Sequence, residues 1–556
     1  MTVRKQLIWF LVCVLLVRVC HICVMPTLLL GMNPGVACSA KMLLQNSAND
    51  NNFSFPPLPA MLMAVPALLF DVSPGSLIAA FVAGYSLLYA LAFWAWLTSL
   101  RINGRLRWYS CWLFLFLPLN NGYEGLDSSQ TLLAGLLFMV VALLFHLELG
   151  DSSRRRWWLL IATTVLLPMT RTEYCILLPL YLATVTPAYA YFSERFSARR
   201  LLSGCAAIAA GLCCGIVIAI AIRLFLTGEF GIVPPEYTCW TFLDGVPSNW
   251  LKPSDETEFA RRMVGIERFG HPAEYDYSLA AMIITHPVSA IEKFVGNIPR
   301  WFFELGGRAQ VLPKPAAVFV LVGLVAMLRL RLAGRKKLLL AQLLSTIMMT
   351  APMIGVMLYA EYLRPAYVAL CVLMAHGINV VSQWFHWRVM RLSRRTCQHM
   401  LVALCCLGME CFYFYSGAHH PDALVLSPVG KMADELVVEN GIRRLIIDPY
   451  SSVIDATSKT ALWNHTLEHS FIDRVGRSTT EPATAIDVLE SYRVGREVLA
   501  SPGARIGVLI WASQAERPEL DQRIATWRSL QFDLQSISEI STSNHQTWIV
   551  ACMLEN

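Results

Sequence analysis

The stretch LLSGCAAIAAGLCCGIVIAIAIRLFLT, residues 201–227, carries a single charged side chain, Arg223. About 20 apolar residues in a row are enough for a helix to cross the hydrocarbon layer of a bilayer. The stretch therefore predicts a membrane-spanning helix. Its cysteines, Cys205, Cys213 and Cys214, are expected to behave as small buried apolar side chains.

The rest of the chain has the same character. Of its 556 residues, 56% are hydrophobic and 15% are charged, and the mean hydropathy is +0.50. A soluble domain carries about 25% charged residues. The apolar residues are also grouped in blocks, which predicts a mainly α, polytopic helical membrane protein with about eleven spans. The predicted spans lie near 8–30, 76–100, 106–120, 129–149, 155–171, 173–192, 201–227, 311–329, 338–360, 364–385 and 397–416.

Basic residues mark every second connection between these spans. A cytoplasmic excess of Lys and Arg is typical of membrane proteins. The pattern predicts a multi-pass protein of the inner (plasma) membrane with a cytoplasmic N-terminus and no role in nucleic-acid binding. The basic connections contain Arg4 and Lys5; Arg101, Arg105 and Arg107; Arg154, Arg155 and Arg156; Arg195, Arg199 and Arg200; Arg329, Arg331, Arg335, Lys336 and Lys337; and Arg388, Arg391, Arg394 and Arg395.

The composition changes after the last span and divides the chain into two predicted domains. Residues 1–416 form the membrane domain, and residues 417–556 form a small extracytoplasmic α/β domain. In this tail RRLIIDP, RIGVLIWA and TWIVACML predict short strands, and RPELDQRIATWRSL predicts a helix. The tail contains no catalytic motif, so we interpret it as a cap or docking domain.

The first external loop, residues 31–75, contains two further helical patterns. PGVACSAKMLLQ has apolar residues at helical spacing after Pro34, which is suited to a first turn. FPPLPAMLMAVPALLF is too short and too rich in proline for a regular span, and predicts an interfacial or re-entrant piece. Two helices on the bilayer surface predict a roofed external cavity rather than a simple connection.

Four segments together resemble the C-type (GT-C) polytopic membrane glycosyltransferases, especially bacterial members related to protein mannosyltransferases and lipid A aminoarabinose transferase. They are the first loop with its helix and FSFPPLP, the corner MTRTEY at 169–174, the segment THPVSAIEKFVGNIPRWFF at 285–303, and AEYLRPAYVALCVLMAHG at 360–377. Their order and their common predicted side of the membrane carry the resemblance, which covers roughly residues 1–420.

The resemblance implies a chemistry. Such enzymes move a sugar from a polyprenyl- or dolichyl-phosphate carrier to a glycan, lipid or protein acceptor outside the cytoplasm, usually with inversion at the sugar carbon. A carboxylate in the first external loop serves as general base or orients the acceptor. Cationic groups near the membrane surface hold the carrier phosphate. Membrane lipid is a further partner, no cofactor is required with certainty, and a divalent cation is left open.

The sequence departs from the family pattern where the first-loop carboxylate is expected. Asn33 or Pro34 stands at that place, and an amide cannot accept a proton as a carboxylate does. Asp50, later in the same loop, is one replacement. Glu124 or Asp127 in the next external loop, NNGYEGLDSSQ, is another, with Asp127 the preferred residue. The third alternative is a protein that binds the lipid-linked sugar without transferring it, or an acceptor that needs no strong base.

Four charged residues are candidates for substrate binding, together with Asn33. Arg171 and Glu173 lie two apart at the outer end of a span, where they either close the span as an ion pair or bind and orient the carrier phosphate. Arg223 and Arg364 lie near outer span ends, where a membrane arginine indicates either function or snorkelling to the interface.

The alternative function is a transporter or flippase for a lipid-linked saccharide. Such a protein more often shows internal repeats and broken helices at mid-membrane, and we find no internal repeat in the sequence. No pair of cysteines in a polar segment has the spacing of a zinc site. The sequence leaves open which sugar moves, which acceptor receives it, and whether the carrier is undecaprenyl or dolichyl phosphate.

Overall fold

The fold is described from a computed structural model of the chain. The structure describes residues 3–24, 40, 43–44, 56–70, 74–117, 128–150, 153–192, 197–228, 230–233, 235–251, 258–306, 314–329, 334–356, 363–388, 393–418, 435, 439–441, 444–448, 506–513, 517–529, 531–541 and 547–555.

Helices form most of the described chain. They are α1 (Val3–Val24), α2 (Pro57–Phe70), α3 (Pro74–Ser99), α4 (Gly104–Phe116), α5 (Ser128–Gly150), α6 (Arg154–Thr170), α7 (Tyr174–Phe192), α8 (Ala198–Thr227), α9 (Pro235–Asp244), α10 (Glu258–Phe269), α11 (Leu279–Thr285), α12 (Pro287–Gly306), α13 (Lys314–Arg329), α14 (Gly334–Met348), α15 (Arg364–Arg388), α16 (Arg394–Ala418) and α17 (Arg517–Arg528).

A helix lies at each predicted span, namely α1, α3 to α8 and α13 to α16. Within the described residues, five helical segments are long and apolar enough to cross a bilayer. The chain is therefore a multi-pass membrane protein, while the number of crossings stays a prediction. The five segments are Ala80–Ser99, Tyr174–Phe192, Ala198–Leu226, Lys337–Ile354 and Arg364–Trp384.

Of the two interfacial pieces predicted in the first loop, the structure describes mainly the second. The second piece forms α2, which has 14 residues and contains Pro66. The helix predicted at 34–45 lies almost wholly outside the described residues. The interfacial position of both pieces stays a prediction.

Glycines let neighbouring helices approach closely. A Cβ added at Gly323 of α13 or at Gly377 of α15 would lie far inside van der Waals contact with the other helix's backbone carbonyl. On α8, the Cβ position of Gly215 faces the Val165 carbonyl of α6, and that of Gly211 faces the Thr164 side chain and the Ile161 carbonyl. Small residues commonly permit such close packing in membranes, where no hydrophobic force draws helices together.

The C-terminal part contains a four-stranded sheet. Its strands are β1 (Arg444–Asp448), β2 (Ile506–Ser513), β3 (Phe532–Ser541) and β4 (Thr547–Glu555), in the spatial order β1-β2-β4-β3. The β1–β2 pair is parallel and the other pairs are antiparallel.

One face of this sheet is covered by α17. That helix contributes Leu520, Ile524 and Trp527 to an apolar core with β2, β3 and β4. The three strands predicted from RRLIIDP, RIGVLIWA and TWIVACML are confirmed, as is the helix RPELDQRIATWRSL. Strand β3 was not predicted from the sequence.

The chain divides into two compact units. The larger comprises Met1–His21, Pro56–Pro59 and Phe81–Phe414, and contains every helix that forms the site described below. The smaller includes Tyr415–Asn556 and therefore the sheet. The predicted domain boundary at residue 416 stays a prediction.

Candidate functional site

The corner between α6 and α7 holds a buried ion pair. Arg171 caps the C-terminus of α6, where its backbone N–H donates to the Leu167 carbonyl at 2.9 Å. Its guanidinium Nε forms an ion pair with the Glu173 carboxylate, and the two side chains are only 7% and 14% exposed. The ion pair itself is present, as the sequence interpretation expected, and the binding role of Arg171 and Glu173 stays a prediction. The pair fixes the Arg171 side chain inside the bundle rather than in water.

Tyr174 connects this corner to a distant part of the chain. It is the first residue of α7 and is buried against the Phe138 ring of α5, with ring centroids 6.2 Å apart. The Tyr174 hydroxyl interacts electrostatically with Arg171 and Glu173, and also with Arg364 at the start of α15. The corner and the start of α15 therefore contribute to one polar cluster.

Arg364 lies inside the bundle at this cluster. It is the first residue of α15 and is 1% exposed. Its Cδ lies 3.3 Å from the point where a Cβ would stand on Gly135 of α5, and the Tyr89 ring of α3 lies 3.1 Å from the same point. Because Gly135 has no side chain, Arg364 and Tyr89 can both occupy this space.

Arg223 lies at a similar height on α8 and is buried. Helices α6 and α8 run in the same predicted direction, with Gly215 against the Val165 backbone. Arg223 lies eight residues after Gly215, and the corner after Thr170 lies a similar number of residues after Val165. Because the rise per residue is the same in both helices, Arg223 is level with this corner. We call Arg171, Glu173, Tyr174, Tyr89 and Arg364 the outer cluster.

The structure thus brings together three of the predicted binding residues, Arg171, Glu173 and Arg364. The other candidates, Asn33, Asp50, Glu124 and Asp127, lie outside the described residues. The loop that contains Glu124 and Asp127 joins α4 and α5. Both helices contact the outer cluster, since the Phe114 ring of α4 lies 5.0 Å from Tyr89 and Gly135 lies against Arg364.

Sequence reasoning did not single out Tyr89 or Tyr174. Tyr174 is the last residue of the MTRTEY motif, so the candidate residues Arg171 and Glu173 beside it in the sequence indicated its location. Tyr89 lies inside an apolar span, where a tyrosine gives no separate signal. Among the described residues the Tyr89 hydroxyl is buried and makes no hydrogen bond.

A second buried polar group lies in the external segment between α8 and α13. Lys293 of α12 donates to the carbonyls of Phe242 and, at 3.0 Å, Val356, and its ammonium stands 3.4 Å from the Phe242 ring centroid. Burial lowers the pKa of Lys293 well below its ordinary value, and the nearby Asp244 carboxylate opposes that shift.

Within the described residues, no three His, Cys, Asp or Glu side chains lie close enough to hold a metal ion. The outer cluster itself provides guanidinium cations and phenol hydroxyl groups. Guanidinium groups and phenols bind the oxygen atoms of an anionic group such as a phosphate.

A scan against protein-family models finds no match, and a search of curated proteins finds none either. Solved structures that are similar to this chain at low identity include three membrane glycosyltransferases. One is ArnT from Cupriavidus metallidurans bound to undecaprenyl phosphate, with 11% identity, a TM-score of 0.47, and coverage of 99% of this chain and 98% of that one.

The second similar structure is an oligosaccharyltransferase from Archaeoglobus fulgidus in complex with Zn and sulfate, with 12% identity and a TM-score of 0.43. It is matched over 82% of this chain and 59% of its own length. The third is the arabinofuranosyltransferase AftD from Mycobacteria, with 10% identity and a TM-score of 0.45, matched over 100% of this chain and 42% of its own. Their ligands belong to those proteins, and no residue role is carried over from them.

Proposed function

We propose that this chain is an integral membrane glycosyltransferase that moves a sugar from a polyprenyl-phosphate carrier to an extracytoplasmic acceptor. The observation that carries the proposal is the outer cluster. Arg171 and Arg364 come from distant parts of the sequence, are both buried, and both lie within electrostatic range of the Tyr174 hydroxyl at the predicted outer ends of their helices. Ionisable residues inside a membrane protein usually serve function.

The cluster suits the phosphate of a lipid carrier. A guanidinium binds phosphate through paired charge-assisted hydrogen bonds, which are roughly twice as strong as neutral ones. When the bond between the sugar carbon and the phosphate oxygen breaks, negative charge grows on that oxygen. Cations that are already in place stabilise this charge without having to reorganise. Glu173 holds Arg171 in position through their ion pair.

The proton of the acceptor hydroxyl needs a base. We assign this role to the acidic residues of the two outer loops, with Asp127 preferred over Asp50 and Glu124. Both ends of the loop that carries Glu124 and Asp127 continue into helices that contact the outer cluster. Asn33, which stands where the related enzymes carry Asp, is left with a binding role.

The proposed orientation places the reaction outside the cytoplasm. The N-terminus is cytoplasmic, and the tail from Gly417 is extracytoplasmic, as the alternation of basic connections predicts. Membrane lipid surrounds the helices, and the acceptor is a glycan, a lipid or a protein.

The test uses the full chain reconstituted in sealed vesicles and supplied with radiolabelled polyprenyl-phosphate sugars, one at a time. We expect transfer of label to a water-exposed acceptor, and its loss in Arg364→Ala. Arg268→Ala is the matched control, because Arg268 is an exposed arginine of α10 with 48% side-chain exposure. Movement of intact carrier across the membrane without transfer would instead establish the transporter alternative.

A further inference from the structure

Arg107 is a buried cation near the start of α4, at the predicted cytoplasmic end of that helix. Its side chain is only 6% exposed. Nη1 donates to Thr98 Oγ1 of α3 at 3.0 Å, and the guanidinium carbon stands 4.8 Å from the centroid of the Trp94 ring. Thr98 Oγ1 in turn donates to the Trp94 carbonyl at 2.8 Å. These contacts hold the guanidinium in one place against α3.

The charge of Arg107 is not matched by a carboxylate. Within the described residues Arg107 forms no ion pair, and its Nε makes no hydrogen bond. Nη2 lies 3.9 Å from the Cβ position of Gly104, beside the turn that joins α3 to α4. The sequence 98–119 contains no Asp or Glu, but it does contain Arg101 and Arg105 as well as Arg107. Because a buried charge without a partner is costly, this site favours an anion from outside the chain.

An aromatic stripe begins beside Arg107 and runs along α4. It consists of Trp108, Trp112 and Phe116, which are half-buried, whereas every other side chain in 107–117 is buried. Successive ring centroids in the stripe lie 5.6 and 5.9 Å apart. Eight residues of helix extend about 12 Å. The stripe therefore reaches from the predicted cytoplasmic surface well into the hydrocarbon layer.

Trp94 joins the cation to the stripe. Its ring lies under the Arg107 guanidinium, and its centroid is 6.3 Å from that of Trp108. Phe10 of α1 stacks on Trp94 at 5.9 Å, which supports the ring from another helix. One continuous surface thus offers a fixed positive group at the membrane interface and an apolar track that leads away from it.

We infer that this surface binds one anionic phospholipid of the cytoplasmic leaflet. The headgroup phosphate contacts Arg107, and an acyl chain lies along the aromatic stripe. Basic pockets between helices on the cytoplasmic side are suited to anionic headgroups. Arg101 and Arg105 are exposed and add to the attraction, whereas Arg107 is oriented by Thr98 and Trp94 and gives the site its specificity.

The inference does not depend on the proposed transferase activity. It is tested with the full chain purified in detergent and mixed with equal amounts of phosphatidylglycerol and phosphatidylcholine, whose binding is measured by native mass spectrometry. Arg107→Gln removes the charge. Thr98→Val removes the acceptor that orients Arg107 at an exposed position, so the fold is retained if the buried substitution is not tolerated. Arg105→Gln is the matched control, because it removes an exposed arginine of the same helix.

We expect the natural chain to retain phosphatidylglycerol several-fold better than phosphatidylcholine. Arg107→Gln should weaken phosphatidylglycerol binding about ten- to hundredfold, as loss of a charged hydrogen bond does. Thr98→Val should weaken it several-fold, and Arg105→Gln should change it by less than twofold.

A further variant and a competitor test the aromatic stripe. Trp112→Ala should also weaken phosphatidylglycerol binding, because the acyl chain loses apolar contact. Excess inorganic phosphate should displace little lipid, since it cannot use the stripe. Equal retention of the two lipids by the natural chain, equal losses in Arg105→Gln and Arg107→Gln, unchanged binding in both Thr98→Val and Trp112→Ala, or complete displacement by inorganic phosphate would each overturn the inference.

Discussion

Gly135 of α5 leaves room for the side chain of Arg364 of α15. A Cβ at position 135 would lie 3.3 Å from Arg364 Cδ and 3.1 Å from the Tyr89 ring. These separations are tighter than ordinary van der Waals contact, so an added methyl group is accommodated only if a neighbour shifts. The shape of the outer cluster thus depends on residue 135 being a glycine, which has no side chain.

The first prediction follows from this contact. Gly135→Val should push Arg364 and Tyr89 from their positions and lower transfer by about 10²-fold, the cost of a misplacement of about 1 Å in an active site. Gly84→Val on α3 is the control, because among the described residues no neighbouring helix or side chain comes within 4 Å of its Cβ position. Equal turnover in the two variants would show that the arrangement around Arg364 has no part in the reaction.

The second prediction concerns helix packing. Gly377→Ala should force α15 away from α13 and reduce the free energy of unfolding by about 1–3 kcal/mol, as overpacked cores do. Gly408→Ala on α16 adds the same methyl group at a position that no neighbouring part of the described chain approaches within 4 Å. Thermal unfolding in detergent should show a lower melting temperature for Gly377→Ala than for Gly408→Ala. Equal melting temperatures would contradict the tight α13–α15 contact.

Arg171 is predicted to hold the carrier phosphate. A hydrogen bond to a charged group contributes roughly 1.5–3 kcal/mol, so Arg171→Ala should weaken carrier binding about ten- to hundredfold. Arg171→Lys should restore only part of the affinity, because an ammonium lacks the planar fork of a guanidinium. Binding of radiolabelled carrier to purified protein measures both. Unchanged affinity in Arg171→Ala would leave Arg171 and Glu173 as an ion pair that closes a span.

The fourth prediction addresses the base. Asp127→Asn should cut turnover by about 10²–10⁴-fold, the usual contribution of a general base, and leave carrier binding nearly unchanged. Asn33→Asp is the complementary change, and should raise activity if it restores a carboxylate at the family's position. Normal transfer by Asp50→Asn, Glu124→Gln and Asp127→Asn alike would place the base outside both loops.

The fifth prediction is that the stability of the protein depends on pH because Lys293 is buried. Because burial lowers its pKa in the folded state, the unfolded chain binds more protons between that lowered pKa and the ordinary value of about 10.4. Stability from this group should therefore rise as pH increases through that window. Melting temperatures at pH 7 and pH 9 should show a rise in the natural chain that is smaller in Lys293→Met. Parallel changes in the two proteins would contradict the prediction.

The positions of the helices were predictable from the sequence. A backbone in hydrocarbon must satisfy its own hydrogen bonds, so long apolar blocks form helices whatever their tertiary contacts. The ion pair of Arg171 and Glu173 was predictable for a similar reason, because two residues at one tight corner are held together by the chain itself. Strand β3 was missed, because its inward positions after Leu534 are Ser536 and Ser538 while Ile537 points outward, so burial alternates along the strand but the apolar residues do not.

The sequence alone therefore determined the class of protein, the places of the helices, three of the four strands and the local pairing at the corner. Only the tertiary structure decided that Arg364 packs beside Tyr89 and lies within electrostatic range of Tyr174, and that the polar face of α12 points inward. Association of membrane helices rests on close packing at small residues such as Gly135. A glycine in the sequence shows that another helix can approach closely, but not which helix does so.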